Sequence, residues 1–150
     1  MEQKRKVIPP VYLVATLGVM TALYYRAPLA RFLEPPFTYL GAVPLVGGIG
    51  MAIAASRAFA RAGTPVIPFE RSTALVTDGL YSVTRNPMYL SMVLILLGVA
   101  VLFGTVSALL PIPVFAWVIQ HNFIRGEERF LEEIFGEQYL GYKRRVRRWL

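Results

Sequence analysis

Four apolar segments follow one another along the chain and are separated by polar passages. They cover residues 8–25, 37–60, 87–103 and 107–123. Each is close to the ~20 apolar residues with which a helix crosses the hydrocarbon core of a bilayer. The pattern therefore predicts an all-α, polytopic membrane protein with about four transmembrane helices.

Two parts of this pattern allow other interpretations. Gly104 and Thr105 favour a tight turn between the last two segments, but a single long segment interrupted by Pro111 and Pro113 is the alternative. Residues 1–25 also have the basic start and apolar run of a signal peptide. A small-residue cleavage site does not follow this run cleanly, so we expect a membrane-spanning helix.

Composition agrees with a membrane protein of one domain, residues 1–150. Hydrophobic residues make up 55% of the chain, and the mean hydropathy is +0.50. With no cysteine and a single histidine, a disulfide framework and a thiolate or histidine metal cluster are excluded. The net charge of +7 does not indicate nucleic acid, because the basic residues flank the apolar segments.

The basic residues predict the orientation of the segments. Those expected on one side of the membrane are Lys4, Arg5, Lys6, Arg57, Arg61, Arg71, Arg85, Arg125, Arg129 and the basic residues from Lys143 to Arg148. Arg26 and Arg31 are left on the other side. By the positive-inside rule the first side is cytoplasmic. We therefore expect an integral membrane protein, of the inner membrane in a bacterium, with both termini in the cytoplasm.

A polar, turn-forming passage lies between the second and third segments. Gly63, Pro65 and Pro68 resist helix formation, and the passage is longer than an ordinary connector. It ends at Asn86-Pro87, where Asn86 suits the N-cap and Pro87 the first turn of a helix. The passage is either a plain connector or a loop that wraps a ligand.

A second polar passage, residues 125–135, continues the fourth segment. At 100° per residue, an apolar stripe is formed by Phe123, Phe130, Leu131 and Ile134, and Glu127 falls in its middle. The neighbouring polar flank holds His121, Arg125, Glu128 and Glu132. A carboxylate that faces inward at the membrane edge requires a cation. This partner is predicted to be a loop arginine such as Arg85, or a cationic ligand.

Three motifs in this order resemble the isoprenylcysteine carboxyl methyltransferase family and the related phospholipid methyltransferases. They are residues 74–89, the pair Glu127-Glu128 and residues 135–146. The resemblance covers roughly residues 73–146. It implies an S-adenosylmethionine-dependent membrane enzyme, with a cytosolic cofactor pocket formed by the loop before helix three and the C-terminal helical extension. Its substrate would be a lipophilic small molecule that enters from the bilayer among the membrane lipids.

The resemblance also implies roles for individual residues. The cofactor-binding residues would be Thr73, Ala74, Leu75, Val76, Tyr81, Asn86, Pro87, Met88, Tyr89 and Glu127. Arg85 and His121 are the catalytic candidates, with His121 as a base for an amine acceptor. Arg125 and Glu128 are the candidates for substrate binding.

This chain departs from the family pattern at two positions: the first keeps a polar side chain and need not remove cofactor binding, and the second concerns the acceptor. The eukaryotic prenylcysteine enzymes carry His-Pro where this chain has Asn86-Pro87, and an arginine where it has Phe123. The acceptor therefore stays open between a prenyl thioether acid, a phospholipid amine and another hydrophobic molecule. The alternatives in function are an NADPH-dependent membrane reductase, with Arg61, Arg71 and Arg85 for phosphates, and a small four-helix transporter.

The last polar element is the C-terminal tail. Its apolar and aromatic residues, Tyr139, Tyr142, Val146, Trp149 and Leu150, alternate with Lys143, Arg144, Arg145, Arg147 and Arg148. Such a cationic segment is expected to lie on anionic headgroups. A lid over the cofactor pocket is the alternative.

Overall fold

The computed structural model describes residues 8–64 and 73–150, and in these ranges it contains helices and turns but no β-strand. The helices are α1 (Pro9–Arg26), α2 (Ala42–Arg61), α3 (Pro87–Phe103), α4 (Val106–Leu109), α5 (Pro111–Ile119), α6 (Arg125–Phe135) and α7 (Glu137–Arg145). The all-helical prediction is confirmed for these residues. The basic residues Lys4 to Lys6 and Arg71, together with Pro65 and Pro68, lie outside the described ranges.

Helices α2 and α3 pack at backbone distance because each presents a glycine to the backbone of the other. A Cβ atom on Gly48 would lie 2.7 Å from the carbonyl oxygen of Ser91, and one on Gly98 would lie 2.6 Å from the backbone nitrogen of Leu45. Small residues allow such close approach, which is a common means of packing apolar helices. Close packing against α2 therefore fixes the position of α3.

Gly104 ends α3 and makes the predicted turn. Its φ of 65° lies in the left-handed region, and its N–H donates to the carbonyl oxygen of Ala100. The alternative of one segment running through this point is therefore wrong. After the turn, α4, α5, a five-residue π-helical turn (Gln120–Ile124) and α6 form one helical stretch, Val106–Phe135.

Two of the helical stretches are long and apolar enough to cross a membrane. The first, Phe37–Arg61 with 25 residues, consists of a 3-10 helix (Phe37–Gly41) followed by α2, and the second is Val106–Phe135 with 30 residues. Helix α3 is apolar but has 17 residues. Large apolar side chains are exposed on α1, α2 and α5, namely Val14, Val19, Val43, Val46, Ile49, Ile53, Val114 and Trp117. The prediction of four spans is supported by helix length and composition for two of the four segments.

The C-terminal tail packs against the rest of the protein. Gly136, at a φ of 50°, separates α6 from α7. Tyr139, Tyr142 and Val146 are buried and pack together with Leu75, Leu131 and Phe135. The expectation that these three tail residues lie on lipid headgroups is therefore wrong, because their apolar surface is covered by the loop and by α6. The exposed side chains of the tail include Arg144, Arg145 and Arg147.

Candidate functional site

The site is built on the first turn of α3. Pro87 occupies this turn, where its missing N–H costs no helical hydrogen bond. Asn86 stands at the N-cap position, but its side chain does not cap the helix. Its Nδ2 instead donates to the carbonyl oxygen of Arg148 at 2.9 Å. The interpretation of Asn86 as a plain cap is therefore wrong, because its amide joins α3 to the end of the chain.

Tyr89 and Glu127 form the direct side-chain link between α3 and α6. The phenol of Tyr89, which is buried, donates to Oε1 of Glu127 at 2.7 Å. The ring of Phe123 is also buried, with its centroid 6.5 Å from that of Tyr89 and 5.5 Å from that of Tyr12. Glu127 thus faces inward, as predicted, and its carboxylate lies among aromatic rings.

Glu128 is more deeply buried than Glu127, with 5% of its surface exposed. Its Oε1 accepts from Arg148 Nε at 3.0 Å and lies 3.1 Å from Arg85 Nη2, while its Oε2 accepts from Arg148 Nη2 at 2.6 Å. The prediction that Glu128 lies on the polar flank is wrong. Both of its oxygens are engaged by arginines, so the structure does not favour the predicted substrate contact.

Contacts with distant parts of the chain explain this error. Both glutamates and the later residues of the apolar stripe lie in one α-helix, Arg125–Phe135, so the wheel gives their directions relative to one another correctly. The flank that holds Glu128 is covered by Arg85 from the loop and by Arg148 from the tail, which a helical wheel does not show. The loop arginine expected for Glu127 therefore pairs with Glu128.

Arg85 is buried, with 8% of its side chain exposed, yet it does not use all its donors. Its Nη2 is paired with Glu128. Its Nε and Nη1 atoms are buried and make no hydrogen bond to the residues that the structure describes. A buried guanidinium with two free donors is suited to an additional acceptor, since unsatisfied buried polar groups are costly.

Tyr81 is buried in the loop before α3 and joins this loop to α2 and α7. Its carbonyl oxygen accepts from the hydroxyl of Tyr142 at 2.6 Å, and its ring centroid is 5.4 Å from that of Phe59. Burial raises the pKa of the Tyr142 phenol to about 12, so it stays a donor at neutral pH. The pKa of Tyr81 is raised, mainly by burial and then by its interactions with Tyr142 and with the carboxylate of Glu127.

The other predicted loop residues have different surroundings. Thr73 joins the loop to the end of α2, because its N–H donates to Thr64 Oγ1 and its hydroxyl donates to the carbonyl oxygen of Gly63. Leu75 packs against the buried tyrosines of α7. Ala74, Val76 and Met88 are half-buried. Their predicted contacts with a cofactor stay predictions.

Within the described ranges, His121 and Arg125 make no hydrogen bond, ion pair or ring contact with Tyr89 or Glu127. The hydrogen bond and the ring contact of His121 are both with Trp117, on its own helix. Its Nδ1 is 2.8 Å from that residue's carbonyl oxygen, and the two ring centroids are 4.4 Å apart. Trp117 is 61% exposed and Arg125 is exposed as well. The structure thus separates these two candidates from the cluster that it assembles around Glu127.

Three residues that bind this region together were not identified as site residues from the sequence. They are Thr84, Gln120 and Arg148, which connect the loop, the π turn and the tail. Their contacts join positions that are 20 to 64 residues apart. The only local signal was the excess of arginines in the tail, which does not indicate which one is buried.

The sequence profile of one protein family, described as phospholipid methyltransferase, matches residues 36–138, which is more than half of the chain. The match includes the loop, the start of α3 and both glutamates. It ends within the first turn of α7, before Arg148.

Individual relatives agree with this match. A protein of Haemophilus influenzae, described as an uncharacterized protein, is 46% identical over 63 residues, which are 42% of this chain and all of that protein. The protein-S-isoprenylcysteine O-methyltransferase of Schizosaccharomyces pombe is 33% identical over 72 residues, 48% of this chain. The protein-S-isoprenylcysteine O-methyltransferase B of Arabidopsis thaliana is 31% identical over 77 residues, which are 51% of this chain. The matched parts span 30% and 39% of those two enzymes. No solved structure matches the chain.

Proposed function

The chain belongs to the phospholipid methyltransferase family, and from this premise we propose that it is an S-adenosylmethionine-dependent membrane methyltransferase acting on a lipophilic acceptor. The observation that carries the proposal is the inward carboxylate of Glu127, held by Tyr89 across the gap between α3 and α6. A carboxylate in aromatic surroundings is suited to a cationic ligand.

The residues present fit the chemistry of the methyl donor. S-adenosylmethionine carries a sulfonium, an ammonium and a carboxylate. Glu127 and the aromatic faces of Tyr81 and Tyr89 are suited to the two cations. The Nε and Nη1 donors of Arg85, which bond to none of the described residues, are suited to the carboxylate. Main-chain groups of the Thr73–Val76 stretch and of Pro87 and Met88 complete the proposed binding set.

The donor supplies an already activated methyl group, so the protein chiefly has to bind and orient. Glu127 and Arg85 would fix the two ends of the donor, and the buried aromatic side chains would exclude water from it. A carboxylate acceptor attacks without a base. An amine acceptor has to lose a proton, which is the role we propose for His121, with Arg125 near the path of the substrate.

The proposed arrangement in the membrane has four spans, α1, α2, α3 and the stretch from α4 to α6, with both termini in the cytoplasm. The site then lies at the cytoplasmic surface, where S-adenosylmethionine is dissolved, and the acceptor enters sideways from the bilayer. Phe123 is buried beside Tyr89 at the position where the prenylcysteine enzymes carry an arginine. This supports an acceptor that is recognised mainly by its apolar part.

No contact in the described residues favours the reductase or the transporter. The Nε and Nη1 donors of Arg85 suit a phosphate as well as a carboxylate, so ligand binding, not this residue, separates the reductase from the methyltransferase. Glu127, which a transporter would expose to an aqueous path, is bonded to Tyr89.

Calorimetry on the detergent-purified protein tests the proposal. We expect binding heat with S-adenosylhomocysteine, the product form of the donor, and none with NADPH. Folded protein that gives no binding heat with S-adenosylhomocysteine would contradict the proposal, whether or not it binds NADPH. A protein that binds S-adenosylhomocysteine is then incubated with labelled donor and with a prenyl thioether acid, a phospholipid amine or a neutral apolar amine, to find which one gains the methyl group.

A further inference from the structure

The end of the chain is bonded to the loop that precedes α3. The carbonyl oxygen of Arg147 accepts from the N–H of Arg85 at 3.0 Å, and Thr84 pairs with Arg147 in a parallel bridge. The carbonyl oxygen of Arg148 accepts both from Thr84 Oγ1, at 3.2 Å, and from Asn86 Nδ2, at 2.9 Å. Residues 147 and 148 therefore hold residues 84–86, the segment that leads directly into α3 and Tyr89.

The same segment is also bonded to the opposite wall. The guanidinium of Arg148 makes two hydrogen bonds to the carboxylate of Glu128, of 3.0 and 2.6 Å. The indole Nε1 of Trp149 donates to Oε1 of Gln120, in the π turn, at 2.9 Å. These bonds attach the end of the chain to the helical stretch that carries Glu127 at two points, Gln120 before Glu127 and Glu128 after it.

We propose that Arg148 is a positioning residue that sets the separation of the two walls of the donor site, and so the affinity for the methyl donor. This inference rests on the proposed function. Arg148 acts through two paths, from its carbonyl oxygen to Asn86 and Tyr89, and from its guanidinium to Glu128 and Glu127.

The geometry explains why an arginine is required here. A guanidinium presents two parallel N–H donors that match the two oxygens of a carboxylate, whereas lysine offers a single point charge. Arg148 shares Glu128 with Arg85, and the pairing with Glu128 raises the pKa of Arg148. When Arg148 is removed, Glu128 is free to move toward Arg85, and the free donors of Arg85 move with it. The donor site is then loosened at both Arg85 and Glu127.

The test compares Arg148→Gln and Arg148→Lys with Arg145→Gln, at an exposed arginine of α7. All three proteins are titrated with S-adenosylhomocysteine, and initial rates are measured against donor concentration once an acceptor is known. We expect Arg148→Gln to weaken binding about tenfold and to raise the donor KM more than it lowers kcat. Arg148→Lys should fall between this variant and the wild type, and Arg145→Gln should bind like the wild type.

Thermal unfolding shows whether each variant is folded. If Arg148→Gln fails to fold, Arg148→Lys decides the question, because it keeps the charge and the backbone contacts. Folded Arg148→Lys that binds S-adenosylhomocysteine like the wild type overturns the inference, as does a loss in kcat with an unchanged KM. Absence of binding by the wild type contradicts the proposed function itself, so the two failures are distinguishable.

Discussion

The phenol of Tyr89 donates a hydrogen bond of 2.7 Å to a carboxylate oxygen of Glu127, which lies 38 positions later in the chain. The bond fixes the carboxylate against the first turn of α3 without neutralising it, because a phenol is an uncharged donor. Glu128, next in sequence, is neutralised by two arginines. Adjacent glutamates therefore have different surroundings: Glu128 is bonded to the loop and the tail, and Glu127 is the one that we propose to face a ligand.

Replacement of Glu127 by glutamine should weaken the binding of S-adenosylhomocysteine by about tenfold, because the ligand's ammonium loses a charged acceptor. Tyr89→Phe should weaken it less, since the ring is kept. Calorimetric titration measures both. The matched control is Glu133→Gln, an exposed glutamate of the same helix. Equal affinities of the Glu127 and Glu133 variants would show that Glu127 does not contact the donor.

Replacement of Glu128 by glutamine should act mainly on stability. The change leaves two arginines without a counter-charge, and breaking a buried ion pair typically costs about 3–5 kcal/mol. Thermal unfolding in detergent should show a clearly lower midpoint. Glu132→Gln is the control, because Glu132 and its partner Lys143 are about one-third exposed and such pairs contribute about 0–1 kcal/mol. Equal shifts for both variants would contradict the assigned role of Glu128.

Local sequence rules predict the elements on which the site is built. Pro87 and Gly104 mark the two ends of α3, because each residue type has a conformational preference that acts within one turn. The inward position of Glu127 follows from the apolar residues around it. These features depend on neighbours in sequence, so they are visible without a structure.

The partners of Glu128 and Asn86 are not predictable in this way. Glu128 pairs with Arg148, 20 positions later, and with Arg85 in the loop before α3, so its burial depends on contacts between distant parts of the chain. The contact of Asn86 with Arg148 joins positions 62 residues apart. The alternation of basic and aromatic residues in the tail suits packing on a lipid surface as well as packing on a protein surface, so the sequence pattern does not distinguish the two.

The hydrogen bond from Tyr142 to Tyr81 predicts a loss of stability in alkali. Burial raises the pKa of Tyr142 from 10.0 to about 12, so its contribution is complete below pH 10 and is lost as the pH rises to about 12. Tyr142→Phe should be less stable than the wild type at neutral pH, since the Tyr81 carbonyl loses its partner, but should lose less on going from pH 10 to 12. Unfolding midpoints across this range measure both effects, and the exposed Tyr25→Phe is the control. Parallel curves for the wild type and Tyr142→Phe would contradict the prediction.

Glycine at the α2–α3 contact should be required for the structure of the site. A Cβ on Gly48 would lie 2.7 Å from the carbonyl oxygen of Ser91 and 3.0 Å from the nitrogen of Ile95, both backbone atoms, so Gly48→Ala has to push the helices apart. Because α3 carries Tyr89, the variant should lose both thermal stability and affinity for S-adenosylhomocysteine. Gly47→Ala is the matched control, since its Cβ meets no atom within 4 Å and alanine favours the helix. If Gly48→Ala unfolds and binds like Gly47→Ala, the two helices are not held at the distance that the structure shows.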